Sequence, residues 1–283
     1  MPFANSDGVR IHYELQGSGE PLVMLAGQAT DHHGWDDVYP AYAESHQVVL
    51  LDYRGTGQSE MPTTPPYSTR LFARDVIAVL DECGFERAHA FGISFGGRVG
   101  QWLGIDFSDR LGGLVLGCTT PGNAHGVKRP DDVVAFFANP PADPDAAFRK
   151  RMELMVSPAF YDSHPEWVAA TRERRARASL PVEISELHEE ASEGHDAWDN
   201  IPEIKAPTLV IHGTDDRLNA TGNGPLLASR IPGAELHLVK GARHMFFVEF
   251  PDESSEVILD FLARHPVSGS VRTTAGQPPN QER

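Results

Sequence analysis

Short apolar runs of strand length recur along the chain and are separated by longer segments with helical spacing. The strand-like runs occupy residues 9–14, 22–26, 48–51, 88–91, 111–117, 208–212 and 235–239. Uninterrupted apolar runs are typical of strands buried on both faces, as in a parallel sheet covered by helices. Residues 70–83 place leucine and valine at helical spacing before Gly84, a typical helix stop. We therefore predict an open, mostly parallel α/β sheet in which residues 235–239 form one of the inner strands.

The strand pattern stops between residues 121 and 206. Four segments have helical character there instead: 131–138, 143–156, 165–180 and 182–198. We interpret residues 121–206 as a helical cap inserted after the sixth strand of a core, which then consists of residues 1–120 and 207–265. Residues 266–283 are polar and rich in proline and glycine, which predicts a disordered tail.

Composition narrows the classes of partner. The chain has 283 residues, enough for one large or two small domains, and a formal net charge of −16. Nucleic acids and anionic membrane surfaces require a basic patch, so we expect neither as a partner. The two cysteines form no C-x-x-C pair, the amino terminus lacks a targeting pattern, and no apolar run approaches ~18 residues, all of which favours a cytoplasmic location. Composition leaves open whether the chain forms a homo-oligomer.

A short turn between two glycines carries the first chemical signal. Residues 92–96, Gly-Ile-Ser-Phe-Gly, match G-x-S-x-G and lie between an apolar run and a segment with helical spacing. In a nucleophile elbow the two glycines let strand and helix approach closely, and the serine hydroxyl stands exposed on a strained turn. Ser94 is therefore a candidate nucleophile, although a strand-to-helix turn with a structural serine has the same local pattern.

Candidate partners for Ser94 follow two other strand-like runs. A serine hydroxyl becomes a strong nucleophile only when an imidazole takes its proton and a carboxylate orients that imidazole. Open α/β sheets gather reacting groups at the carboxyl ends of their strands. Two adjacent carboxylates, Asp215 and Asp216, follow the run at 208–212, and His244 follows the last run. The chain order serine, aspartate, histidine is the one expected after a nucleophile elbow.

These segments resemble the α/β-hydrolase fold superfamily, and the resemblance extends from about residue 9 to residue 265. It rests on residues 92–96, 52–59 (similar to the loop D-x-R-G-x-G-x-S), 212–216 and 241–244. The resemblance implies that Asp216, three residues after the glycine of H-G-x-x-D, is the catalytic acid, and that Ser94 and His244 complete a triad. It also implies that the backbone N–H groups of Gln28 and Phe95 form the oxyanion hole. The superfamily often has His-Gly before the first of these donors, whereas this chain has Ala-Gly.

Within the superfamily, the chain is loosely similar to the group of 3-oxoadipate enol-lactonases, aryl esterases and cofactor-free haloperoxidases. Haloalkane dehalogenases and epoxide hydrolases carry aspartate at the elbow, where this chain has Ser94. The resemblance implies a serine hydrolase that cleaves a small or medium apolar carboxylic ester or lactone through an acyl-enzyme. Two alternatives stay open: hydrolysis of a carbon–carbon bond in a ring-cleavage product, and ligand binding without catalysis.

Four residues are candidates for contact with a substrate. His32 and Trp35 lie in the loop after the first long inner strand, and Phe136 and Met155 are apolar residues of the cap. Loop histidines are usually structural, and pockets are built from the same apolar side chains as cores, so each also has a structural interpretation. The sequence shows neither a metal-binding spacing such as H-E-x-x-H nor a dinucleotide-binding glycine motif. We therefore expect a small-molecule substrate and no metal or other cofactor.

Overall fold

The computed structural model describes residues 2–64 and 67–267, which form one central sheet with helices packed against it. The strands are β1 (Phe3–Ser6), β2 (Val9–Gly17), β3 (Glu20–Leu25), β4 (His46–Leu51), β5 (Ala88–Ile93), β6 (Leu111–Gly117), β7 (Thr208–Gly213) and β8 (Glu235–Val239). The helices are α1 (Tyr39–Ala43), α2 (Thr69–Glu82), α3 (Phe95–Asp106), α4 (Asp131–Ala138), α5 (Pro144–Met155), α6 (Pro158–Ser163), α7 (Pro165–Arg177), α8 (Val182–Glu193), α9 (Asn223–Arg230), α10 (Phe246–Glu249) and α11 (Pro251–Ala263). None of the described helices is long and apolar enough to cross a membrane.

The strand order is β1-β2-β4-β3-β5-β6-β7-β8. β1 and β2 form antiparallel pairs, and every pairing from β4 to β8 is parallel. The sheet is therefore mostly parallel, as the apolar runs predict. Parallel strands end at the same edge of a sheet, so the loops that follow β3, β5, β6, β7 and β8 lie side by side there.

Burial separates the centre of the sheet from its edges. All seven residues of β6 and all six of β7 are buried, as expected for strands covered on both faces. The prediction of an inner strand at residues 235–239 is wrong, because β8 lies at the edge and leaves Leu236 and Leu238 41% and 38% exposed. A five-residue run with leucine at alternate positions does not reveal whether a second neighbour covers it. β1 lies at the opposite edge of the sheet and contains no apolar run, so the sequence pattern does not predict it.

A helical cap lies in the chain between β6 and β7 and consists of α4 to α8 within the described residues. Periodicity predicts four helical segments, and α6 is the additional one. Pro158 and Pro165 occupy the first turns of α6 and α7, where proline is tolerated. They mark the starts of two separate helices, of which the periodicity predicts only the second. α8 ends at Glu193 and not at residue 198, because Gly194 follows it as the C-cap.

Hydrogen bonds and ring contacts fix the cap to the core. The Nε2–H of His188 on α8 donates to the carbonyl of Arg54 (3.0 Å), and the N–H of Met245 donates to the carbonyl of Met155 (2.8 Å). The His188 ring also stacks on Phe72, with ring centres 5.3 Å apart. Burial lowers the pKa of His188 to about 4, so this contact uses the neutral imidazole.

Val267 is the last described residue. It is 4% exposed and lies beside Gly112 of β6. The predicted tail continues through residues 268–283, which lie outside the described residues, and its disorder stays a prediction.

A buried ion pair joins the loop after β4 to α2. Arg54 donates to both carboxylate oxygens of Asp75, from Nε at 2.7 Å and from Nη2 at 2.5 Å. The two residues are 6% and 0% exposed. Removal of one partner would leave the other charge buried without compensation, which is strongly destabilising.

We predict that Asp75→Ala lowers the free energy of unfolding by about 3–5 kcal/mol. Urea unfolding followed by circular dichroism measures this loss. The matched control is Asp81→Ala, because the Asp81 carboxylate pairs with Arg110 at 2.7 Å but is 55% exposed. We expect the control to lose at most about 1 kcal/mol. Equal losses in the two variants would show that the buried pair has no special weight.

Candidate active site

Ser94 lies at the tip of the turn between β5 and α3. Its backbone has φ 54° and ψ −114°, a conformation that L-residues rarely adopt. Close packing holds it there: a Cβ on Gly92 would lie 2.3 Å from the carbonyl oxygen of Gly96, and a Cβ on Gly96 would lie 2.0 Å from that of Leu25. Only glycine permits these two approaches. The local geometry is therefore that of a nucleophile elbow.

His244 and Asp216 form a buried hydrogen-bonded pair in the loops after β8 and β7. The Nδ1 of His244 lies 2.8 Å from Oδ2 of Asp216. The other carboxylate oxygen accepts the N–H groups of Leu218 (2.8 Å) and Asn219 (3.0 Å). Asp216 and His244 are 3% and 5% exposed, whereas Asp215 is exposed. Of the two adjacent carboxylates, the structure brings Asp216 to His244.

Charge and burial act in opposite directions on this pair. Burial disfavours the carboxylate form of Asp216, but the charge of His244 and the hydrogen bond from His212 outweigh it and lower its pKa. Burial likewise disfavours the imidazolium form of His244, but Cys118 and Asp216 outweigh it and raise its pKa. Because ionised Asp216 accepts from Nδ1–H, Nε2 is the nitrogen of His244 that is left to exchange a proton.

The end of β6 connects the elbow with this pair. The carbonyl of Gly117 accepts the N–H of Ser94 (2.9 Å), and the hydroxyl of Thr119 donates to the carbonyl of Ser94 (2.7 Å). Cys118 lies between these two residues in the chain, is fully buried, and has a φ of 39°. Its thiol interacts with the imidazole of His244. Ser94 and His244 therefore flank the same strand end.

Sequence analysis misses two residues of this site. His212 is buried in β7 and shares its Nε2–H between the carbonyl of Asn219 (2.7 Å) and the carboxylate of Asp216 (3.2 Å). Cys118 directly follows β6. Both residues lie at the carboxyl end of a parallel strand, and that position is the signal that would have identified them.

Gln28 and Phe95, the predicted oxyanion donors, lie on two segments that contact each other. Phe95 is the first residue of α3 and precedes Gly96, which packs on the carbonyl of Leu25, three residues before Gln28. Within residues 2–64 and 67–267, the N–H groups of Gln28 and Phe95 donate no hydrogen bond. Free donors on facing segments are what an oxyanion requires, so both residues stay predicted members of the oxyanion hole.

His32 and Trp35 attach the loop after β3 to the core. The Nδ1 of His32 lies 2.7 Å from Oδ1 of Asp52, and the same oxygen accepts the His32 N–H at 2.8 Å. Trp35 is 1% exposed, and its ring lies 5.2 Å from that of Phe91 and 5.7 Å from that of Phe247. Both side chains thus have partners inside the protein, and a role in substrate binding stays a prediction.

A cluster of metal-ligating residue types is formed by His12, His32 and Asp52, whose ligand atoms lie within 4.8 Å of one another. The two imidazole Nδ1 atoms lie 2.9 and 2.7 Å from the oxygens of Asp52. The ligands of a tetrahedral zinc ion lie about 3.3 Å apart. The spacing in this cluster is therefore that of N–H···O hydrogen bonds.

Phe136 and Met155 lie on the cap side of the acid and histidine loops. Phe136 is 8% exposed and belongs to a small apolar cluster with Leu218, two residues after Asp216. Met155 packs against the same cluster, and its carbonyl accepts the N–H of Met245, the residue after the histidine of the pair. The structure therefore brings these two candidates next to the candidate active site, and direct contact with a substrate stays a prediction.

Comparisons with known proteins agree with this fold. A family model of the alpha/beta hydrolase fold matches residues 20–251. The chain is 31% identical over 267 residues to a 2-hydroxy-6-oxononadienedioate/2-hydroxy-6-oxononatrienedioate hydrolase of Paraburkholderia phymatum, which covers 90% of this chain and 92% of that protein. It is 30% identical over 275 residues to RutD of Azorhizobium caulinodans, a candidate carbamate hydrolase, with coverage of 92% and 98%. The solved structure of Est816, described as an N-acyl homoserine lactone degrading enzyme, has a TM-score of 0.79, 31% identity and coverage of 92% and 100%.

We predict that Asp216→Asn lowers the pKa of His244, because a neutral amide no longer stabilises the imidazolium form. An NMR titration of the histidine ring signals in the wild type and the variant measures this change. The internal control is His46 at the start of β4, whose pKa is lowered by burial and should not change in the variant. An unchanged pKa of His244 would contradict the electrostatic role given to Asp216.

Proposed function

The chain belongs to the α/β-hydrolase fold family, and from that premise we propose that it is a serine hydrolase of carboxylic esters or lactones. Its relatives are hydrolases. The observation that supports the proposal most is the buried pair of Asp216 and His244, together with a serine held at positive φ at the same edge of the sheet. A structural serine needs neither a strained backbone nor a buried imidazole–carboxylate pair. The proposed triad is Ser94, His244 and Asp216, acting on a small or medium acyl group under the cap.

In the proposed reaction, the hydroxyl oxygen of Ser94 attacks the substrate carbonyl while Nε2 of neutral His244 takes the hydroxyl proton. Because the pKa of His244 is raised, this neutral form becomes more abundant as the pH rises. Asp216 stabilises the imidazolium that forms. The N–H groups of Gln28 and Phe95 donate to the negative oxygen of the tetrahedral intermediate. As the intermediate collapses, the C–O bond to the leaving alcohol breaks, and His244 gives its proton to that oxygen.

The acyl-enzyme is then hydrolysed by the reverse sequence of proton transfers. Nε2 of His244 takes a proton from water, and the resulting hydroxide attacks the acyl carbon. Collapse of the second intermediate breaks the bond to Ser94, whose oxygen recovers the proton from His244. For a lactone, the leaving alcohol stays attached to the acyl chain until this step releases a hydroxy acid.

Two relatives narrow the choice of substrate in different directions. Similarity to Est816 supports a lactone. Similarity to the hydrolase of Paraburkholderia phymatum supports a second candidate function, hydrolysis of a carbon–carbon bond in an oxo-dienoate. Loss of the absorbance of a conjugated 2-hydroxy-6-oxo-dienoate without ester cleavage would select this second function. Binding of such compounds without turnover of either class would select the non-catalytic alternative.

We predict that the wild-type chain releases p-nitrophenol from short and medium acyl esters. Ser94→Ala and His244→Ala should each lower kcat/KM by at least about 10³-fold, because the triad acts as a unit. The matched controls are Ser229→Ala and His237→Ala, which replace a serine and a histidine outside the proposed site. The controls should keep wild-type kcat/KM. A Ser94→Ala variant with wild-type activity would exclude Ser94 as the nucleophile.

A further inference from the structure

Arg54 and Arg98 are both buried, at 6% and 3% exposure, but they differ in their partners. Arg54 is bound by the carboxylate of Asp75. Arg98, on α3, has no carboxylate oxygen within 4.0 Å among the described residues. Its Nη1 donates to the carbonyl (2.6 Å) and hydroxyl (2.7 Å) of Ser192, and its Nε is buried with no partner in that part of the chain. A buried guanidinium without an anion is costly, so this arrangement requires an explanation.

The groups around Arg98 do not neutralise it. Ser192 lies in the last turn of α8, and the carbonyl end of a helix carries about half a negative charge. Glu193 favours the charged form of Arg98 from a distance, while its Oε2 accepts from the amide of Asn123 (2.5 Å). Burial and the charge of Arg129 act in the other direction and lower the pKa of Arg98 to about 10. Arg98 is therefore charged at neutral pH, and part of that charge has no counterpart in the protein.

Two more arginines lie in the same region. The Nε–H of Arg129, which is half-buried, donates to the carbonyl of Leu218 (2.8 Å), and its guanidinium lies 5.5 Å from the ring centre of Phe137. The guanidinium of Arg151 lies 5.3 Å from the same ring centre. Neither has a carboxylate oxygen within 4.0 Å in the described parts of the chain. We name Arg98, Arg129 and Arg151 the arginine cluster.

The arginine cluster lacks carboxylate partners, and a shortage of acidic residues in the chain does not explain this. The chain has 40 acidic residues against 24 lysines and arginines. Other arginines of the cap do have carboxylate partners, since Arg172 pairs with Asp145, and Arg174 pairs with Asp37 at 2.7 Å. Carboxylates are thus available to arginines of the cap, but none pairs with the arginine cluster among the described residues.

The arginine cluster borders the proposed triad on two sides. Arg98 lies one helical turn after Ser94, and its N–H donates to the Ser94 carbonyl (3.2 Å). Residues four apart lie on the same face of a helix. On the other side, Arg129 is bonded to Leu218, whose own N–H donates to Asp216. An anion held by these guanidinium groups would therefore lie close to the reacting atoms.

We propose that the arginine cluster binds a carboxylate of the substrate, at the end remote from the carbonyl that Ser94 attacks. Guanidinium groups bind carboxylates with pairs of N–H donors, and burial strengthens such charge-assisted hydrogen bonds. The rings of Phe136 and Phe137 supply apolar contacts beside the cluster. The substrate is then an ester or lactone with an apolar body and a terminal carboxylate. This inference rests on the proposed function and specifies its substrate class.

The test compares two esters of equal length, the mono-p-nitrophenyl ester of adipic acid and the same compound with its free carboxyl group methylated. In the wild type we expect kcat/KM to be at least about 10-fold higher for the anionic ester at low salt, with the ratio falling as salt is added. Arg98→Gln and Arg129→Gln should each reduce this ratio to about 1. Arg172→Gln removes an exposed, paired cap arginine and should keep the wild-type ratio.

The outcomes separate this proposal from the proposed function. A wild-type ratio near 1, retention of the ratio in Arg129→Gln, or an equal loss in Arg172→Gln would each overturn the anion site. If Arg98→Gln does not fold, Arg129→Gln decides. If the wild type cleaves neither ester faster than Ser94→Ala does, the proposed function fails. A measurement of adipate binding then tests the anion site independently of catalysis. Adipate well above its Kd should then raise the Tm of Ser94→Ala by about 3 °C and leave that of Ser94→Ala with Arg129→Gln unchanged; equal shifts, or none, would overturn the site.

Discussion

The approach of the Gly96 backbone to the end of β3 is the constraint on which the candidate site depends. A Cβ at this position would lie 2.0 Å from the carbonyl oxygen of Leu25, so the contact exists only with glycine. It places the start of α3 against the loop that carries Gln28, and it holds Ser94 at φ 54°. Strain of this kind costs about 1–3 kcal/mol and persists only where the surrounding structure fixes it. The fixed surroundings are the sheet itself, since β5 lies between β3 and β6 and its neighbours hold it on both sides.

Burial of charge is the second constraint, because a buried charged side chain needs compensating partners. The partners differ among three buried charged residues. Asp216 is compensated by His244, by His212 and by two backbone N–H groups. Arg54 is compensated by a carboxylate on α2. Arg98 receives a carbonyl, a hydroxyl and the end of a helix, which do not match a full charge. In our interpretation, a substrate carboxylate supplies the remaining negative charge, so the binding site is completed by its ligand.

Sequence patterns predict those features of the structure that depend on the residues of a single segment. The apolar runs suffice for the fold class, which the family match over residues 20–251 confirms. Asp216 and His244 are predicted because each lies in the loop after a strand-like run, and parallel strands end at one edge. The edge position of β8 could not be predicted from its sequence, because the presence or absence of a second neighbouring strand leaves no pattern in the residues of β8. Arg98 is not predicted for a related reason. It matters because no carboxylate among the described residues lies near it in the folded chain, and that depends on residues that are far apart in the sequence.

Identification of the residue that reacts with a p-nitrophenyl alkylphosphonate is the most direct test of the proposed nucleophile. Such an ester is attacked at phosphorus in place of the carbonyl carbon, and its adduct resists hydrolysis. We predict release of one equivalent of p-nitrophenol per chain, a matching gain in intact mass, and a peptide map that places the adduct on Ser94. His244→Ala should react far more slowly, because the hydroxyl then keeps its proton. An adduct on Cys118 or on another residue, with Ser94 unmodified, would contradict the proposed mechanism.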